Sequence, residues 1–153
     1  MKKEIVSLRL QKLTLVLNGK IIYNYINKEG IKMINYDVFN TVKTRMKSKF
    51  PILLTTYLKK SKTYLAAVHV NLPDGDMNTL IDATHSMKSA SGVLGITDVH
   101  RAAERLEYAA KDLVQGKTED RNTLLYHYAG LRDQFSKIED TIQDELKKAQ
   151  NTH

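Results

Sequence analysis

From position 36 onward, apolar and small residues recur at helical spacing. Leu54, Leu58, Ser61, Leu65, Val68 and Leu72 step by 4, 3, 4, 3 and 4, the inward seam of a helix packed in a bundle. Leu80, Thr84, Met87, Ser91 and Leu94 repeat the pattern, as do Val99, Ala103, Leu106, Ala110 and Leu113. A last helix from about Glu119 to about Lys148 places Leu124, Tyr128, Leu131, Phe135, Ile138 and Ile142 inward. Turn chemistry separates the four: Leu72-Pro73-Asp74-Gly75, then Asp76 as an N-cap, Gly95 as a C-terminal stop, Thr97 as the next cap and Gly116 beyond its end. A short additional helix is predicted at Tyr36–Ser48, with a break at Phe50-Pro51, because Pro pushes its predecessor out of the α region. The expected fold is all-α: an antiparallel up-down-up-down four-helix bundle with a short extra N-terminal helix and an N-terminal extension.

That extension, residues 1–32, has a different texture. Leu8 and Leu10, then Leu13, Leu15 and Leu17, alternate with polar residues. Asn18-Gly19 follows, and 21–26 is rich in β-branched and aromatic residues. Two strand-like runs around Asn-Gly are a hairpin signal, although a lone hairpin is marginal unless it packs on something. A poorly ordered extension, or sequence upstream of a true start at Met33, explains the pattern equally well. The division expected is therefore 1–32 as extension and 33–153 as bundle.

Composition narrows the class. The chain has 153 residues, 42% hydrophobic and 27% charged, with 7 Gly and 2 Pro, which is globular and not disordered. The absence of Cys removes disulfides, thiolate metal sites and cysteine nucleophiles, and agrees with a reducing, cytoplasmic setting. No apolar run reaches the roughly 18 residues of a membrane span, so no membrane partner is expected. The net charge of +7 raises nucleic acid as a partner. However, the first 32 residues hold seven basic against two acidic side chains, and the remaining 121 hold 17 against 15. A duplex-binding domain clusters its excess on a folded face, so no nucleic-acid partner is expected.

Candidate chemistry concentrates on the third predicted helix. If its seam faces the core, the opposite stripe is Asn78, Ile81, Asp82, His85, Lys88, Ser89 and Gly92. His85 points to solvent, with Lys88 and Ser89 one turn on and the bare helix surface of Gly92 beyond. On spacing alone, an ordinary surface His beside an ordinary surface Lys is the blander account. Metal sites find little support. Asp82-x-x-His85 has no second copy, as a di-iron bundle requires, and His100 and Glu104 read as an i,i+4 pair. His69 reads as exposed and His127 as packing or surface.

The run Thr84-His85-Ser86-Met87-Lys88-Ser89-Ala90-Ser91-Gly92-Val93-Leu94-Gly95 resembles the His-x-x-Lys-Gly…Leu-Gly signature of histidine-containing phosphotransfer (Hpt) domains. Leu106-Glu107 resembles the family's Leu-Glu on the following helix, and Phe50-Pro51 the start of its long preceding helix. The likeness spans about residues 36–148. Ser89 stands where Gly is commonest, a small-for-small variant, and Met87 replaces Leu conservatively. The resemblance implies a phosphocarrier in a multistep two-component phosphorelay, not a self-sufficient kinase. It accepts a phosphoryl group on His85 from a receiver-domain aspartate and passes it to another receiver. The implied partners are the receiver domains of a hybrid sensor kinase and of a response regulator. No cofactor of its own is expected, since Mg belongs to the receiver. Lys88 would offset the phosphoryl charge, Ser89 and Gly92 would permit close approach, and Ile81 would be an apolar docking contact. The rivals are a bundle that docks receivers without transferring phosphate, and a small basic nucleic-acid-binding protein.

Overall fold

The computed structural model describes residues 12–17, 20–25, 33–118 and 120–151. The chain divides into two compact units, Met1–Lys32 and Met33–His153. In the first, β1 (Lys12–Leu17) pairs antiparallel with β2 (Lys20–Tyr25), in a register from Lys12 opposite Tyr25 to Leu17 opposite Lys20. The Asn18-Gly19 step expected to turn the hairpin lies outside the described residues.

The second unit is all helical: α1 (Tyr36–Met46), a 3₁₀ turn (Lys47–Lys49), α2 (Phe50–Asn71), α3 (Met77–Val93), α4 (Thr97–Val114) and α5 (Asn122–Gln150). The four long helices are the four sequence seams. The four seam residues within α3 and Leu94 at its C-cap are all buried, as are all six of α5. In α2 and α4, Leu65 and Leu113 are only partly buried at the edge of the core.

The boundaries differ from expectation in three places, each with a physical reason. The break between α1 and α2 falls at Lys47, whose φ of 50° turns the chain. Phe50 stays helical beside Pro51 because its buried ring packs edge-on against Phe39, 5.2 Å between centroids. Thr97 is the first residue of α4 and not its cap. Its amide donates to the Met33 carbonyl at 3.0 Å and its hydroxyl to the same oxygen at 3.3 Å, tying the chain ahead of α1 to the α3–α4 connection. Finally, α5 starts at Asn122, where the Asp120 carboxylate accepts from the Asn122 amide at 2.9 Å and the Thr123 hydroxyl at 3.2 Å. Glu119, the expected start, is outside the described residues.

Candidate functional site

The site is built on α3, and both ends of that helix are fixed locally. Asp76 caps it, accepting from the Asn78 amide at 2.9 Å and the Thr79 hydroxyl at 2.7 Å, contacts that lower its carboxyl pKa. At the other end Ile96 N–H bonds Ser91 C=O at 2.9 Å and Gly95 N–H bonds Gly92 C=O at 3.1 Å, a Schellman closure. Gly95 has φ +72°, and a Cβ there would sit 2.8 Å from the Asn35 carbonyl oxygen. The position therefore excludes other residues on two grounds, conformation and space.

The inward face of α3 is polar where it must be, and satisfied. The buried Thr84 hydroxyl donates to the carbonyls of Leu80 and Ile81 at 3.0 and 2.9 Å. Ser91, also buried, pairs its hydroxyl with that of Tyr57 on α2 at 2.9 Å. Burial pushes the Tyr57 phenol up to about 12, against the smaller opposing effect of its Ser91 and Ser61 contacts. The phenol is therefore protonated at neutral pH.

On the outer side His85 is 58% exposed and Ser89 and Gly92 lie at the surface, whereas Ile81 is half-buried and packs on the core edge. Lys88 occupies the predicted stripe, but its ammonium turns back toward α4 and its side chain is only 18% exposed. What draws it is Glu107, a carboxylate 1% exposed on the face of α4 that packs against α3. Three groups converge on it. His85 Nδ1 lies 3.2 Å from Oε1, Lys111 Nζ lies 2.5 Å from Oε1, and Lys88 Nζ lies 2.7 Å from Oε2. The Lys88 contact is an ion pair without an aligned hydrogen bond.

Burial alone would raise the Glu107 carboxyl. The contacts with Lys111, Lys88 and His85 together outweigh it and hold the group down to about 2. The same carboxylate raises the Lys88 ammonium. An ionised carboxylate only accepts, so His85 Nδ1 must carry its proton and donate. The neutral ring then keeps an in-plane lone pair on Nε2. Two lysines around one carboxylate also leave the pocket with a surplus positive charge.

Gly92 has a neighbour the sequence did not indicate. A Cβ at that position would lie 3.0 Å from His100 Nδ1, which donates to the Lys88 carbonyl at 2.9 Å. The missing side chain therefore makes room for the His100 ring. His100 and Glu104 also line a cavity of about 450 Å³ with Asn35, Val38, Thr97 and Arg101. Among the described residues no group of three or more His, Asp or Glu is placed to hold a metal. His69 is exposed beside Tyr128, and burial lowers the His127 pKa.

Glu107, Lys111 and His100 were not among the predicted site residues. Glu107 did carry a signal: it follows Ala103 by four and precedes Ala110 by three. It thus occupies a seam position by the same rule that located the core. A carboxylate in a seam must be paired.

The Hpt domain family matches residues 52–152. No curated protein matches. Solved structures with the same fold include histidine-containing phosphotransfer protein B of Pseudomonas aeruginosa, 21% identical, with a TM-score of 0.68 over 78% of this chain and 98% of that one. A histidine-containing phosphotransfer protein of maize is 15% identical, with a TM-score of 0.68 over 79% and 88%. The Hpt domain of a Shewanella sensor hybrid histidine kinase is 20% identical, with a TM-score of 0.61 over 76% and 95%. With the family matching two-thirds of its length and His85 presented on the surface of the bundle, this chain belongs to the Hpt domain family.

Proposed function

We propose that this protein is a phosphocarrier of a multistep phosphorelay, taking a phosphoryl group from a receiver-domain aspartate onto His85 Nε2 and delivering it to a second receiver. The observation that carries the reading is the His85–Glu107 pair: Nδ1 donates to a buried carboxylate while the opposite nitrogen is on an exposed ring. In the forward step the Nε2 lone pair forms the N–P bond as the P–O bond to the donor aspartate breaks. The bonding pair leaves with that carboxylate. The ring keeps its Nδ1 proton and gains positive charge, which Glu107 meets at 3.2 Å. Delivery reverses these movements onto the next aspartate.

The site needs no nucleotide and no metal of its own under this reading, because the receiver brings the cation and the acidic pocket. Positioning and charge stabilisation are what a phosphoryl carrier must supply. The surplus lysine charge suits a group arriving with about two negative charges. Ile81, Ser89 and Gly92 lie one to two turns from His85 on the same helix, and we assign them to the docking face. No helix among the described residues is long and apolar enough to cross a membrane, and we place the carrier in the cytoplasm with its partners.

The test is radiolabel transfer from a phosphorylated receiver domain. Wild-type protein should acquire acid-labile, base-stable label, and His85→Gln none, because an amide cannot form the phosphoramidate. Label persisting on the variant would move the acceptor elsewhere. Binding without label on the wild type would favour the docking-only rival.

A further inference from the structure

Glu107 has more cations than one carboxylate needs, and the two lysines hold it differently. Lys111 is one turn further along α4 and makes an aligned hydrogen bond to Oε1, the same oxygen that His85 uses. Lys88 sits on α3, three residues from His85, and meets Oε2 without an aligned bond. The arrangement separates a holder from a mobile partner. Lys88 shares a helix face with His85, so rotation about its own side-chain bonds brings the ammonium toward a group on Nε2. Lys111 gains nothing by moving, since its helix already places it on the carboxylate.

The departure of Lys88 has a consequence. Glu107 is buried, and a buried carboxylate that loses its cation takes up a proton. A protonated Glu107 no longer fixes the Nδ1–H form of His85, nor does it offset the charge of a phosphorylated ring. We propose that Lys111 is the positioning residue of this site: it keeps Glu107 ionised and on His85 Nδ1 while Lys88 turns to the phosphoryl group. The Lys88 movement rests on the phosphotransfer reading, whereas the hold of Lys111 on Glu107 does not.

The experiment uses the full chain, and Lys88→Met mimics the departed lysine. Glu107 is titrated by carboxyl ¹³C NMR and the His85 tautomer read from ring ¹⁵N shifts in Lys88→Met, Lys111→Met, the double variant, and Lys88→Met with Lys111→Arg. The groups facing the carboxylate are His85 and Lys88 from α3 and Lys111 from α4, with Glu104 and Tyr108 acting on Lys88. In each single variant one lysine remains, and the Glu107 midpoint should stay below the ordinary 4.5. In the double variant burial dominates. The midpoint should pass 4.5, with proton affinity more than tenfold above either single variant, a shift larger than the two single shifts added. Lys111→Arg on the Lys88→Met background should restore both the midpoint and the tautomer, which also shows that the background folds.

Additive shifts, or no rescue by Arg in a folded protein, would overturn the proposal. A second arm loads the wild type with phosphoramidate, a small donor that needs no receiver. Lys111→Met should then shorten the lifetime of the label several-fold near pH 6, and Lys111→Arg should preserve it. Equal lifetimes in all three overturn the holding role in the phosphorylated state. A wild type that takes no label refutes His85 as acceptor, and the NMR cycle still decides the role of Lys111.

Discussion

Glu107→Gln isolates the charge at the centre of the site, because it keeps the shape of the side chain and removes only the ionisation. Glu107 falls from an ordinary 4.5 to about 2 in the folded protein, which corresponds to about 3 kcal/mol at 1.36 kcal/mol per unit. The side chain is 1% exposed, so solvent screening takes little from that figure. The partly exposed lysines can turn to water in the variant, which recovers some of the loss. At pH 7 the variant should therefore be less stable than wild type by about 2–3 kcal/mol. The sign of the pH dependence follows from the depressed pKa. The stabilisation is fully present above the unfolded value near 4.5 and is lost as pH falls through the folded value near 2. The gap between wild type and variant should accordingly close between about pH 4.5 and pH 2. Asp76 and Glu145, both lowered, and Asp98, raised by burial, titrate alike in the two proteins and drop out of the difference.

Urea unfolding at stepped pH values from about 7 to about 2.5 measures that gap. A gap of constant size across the range would refute the reasoning, since a defect of shape does not titrate. The same variant has a chemical readout. Lys111 and His85 share Oε1, so the amide introduced by Glu107→Gln keeps its oxygen there and turns its NH₂ to the Oε2 position, from which Lys88 is displaced. His85 Nδ1 still donates, but to a neutral oxygen that cannot offset positive charge gained by the ring. Loss of that offset, at about 1.4 kcal/mol, should slow phosphoryl uptake about tenfold. Ring ¹⁵N shifts should show the Nδ1–H tautomer retained, which separates loss of charge from loss of the hydrogen bond.

Gly92→Ala should gain up to about 1 kcal/mol of helix propensity and give part of it back by pushing the His100 ring off the Lys88 carbonyl. Adding His100→Ala should recover the full gain, and additivity in urea midpoints would dismiss the contact. Tyr57→Phe leaves the buried Ser91 hydroxyl without its partner and should cost about 1–2 kcal/mol, with phosphoryl uptake unchanged because the pair lies beneath α3. A chain starting at Met33 should keep its helical circular dichroism and cooperative unfolding. One starting at Asp37 should unfold at lower urea, because it lacks the buried Ile34, the Asn35 cap and the Met33 carbonyl that accepts from Thr97.

The helices were legible because burial on α3 and α5 obeys the 3.6-residue period almost without exception, and Asp76, Gly95 and Gly116 bound elements with residue types that suit a cap or a positive φ. Lys47 was not legible. Nothing in its residue type asks for a positive φ, and it is the packing of Phe50 on Phe39 that moves the break upstream of Pro51. The site divides along the same line. His85 is exposed because of its phase on one helix, and the sequence records that phase. The destination of the Lys88 ammonium depends on a flexible four-carbon stem and on a carboxylate 19 residues away on another helix. Face assignment locates a lysine's Cβ, not its charge. Glu107 lies between these cases, since periodicity marks it as buried and says nothing of its partners. A buried carboxylate at a seam position is nevertheless a strong constraint, because it obliges cations or donors to gather from whichever helices face it. The neighbouring helix face, with His85 and Lys88 one turn apart, was where those donors had to be sought. The tautomer of His85 therefore follows from a pairing between helices, and the residue that sets it is the one that looks most out of place in its own helix.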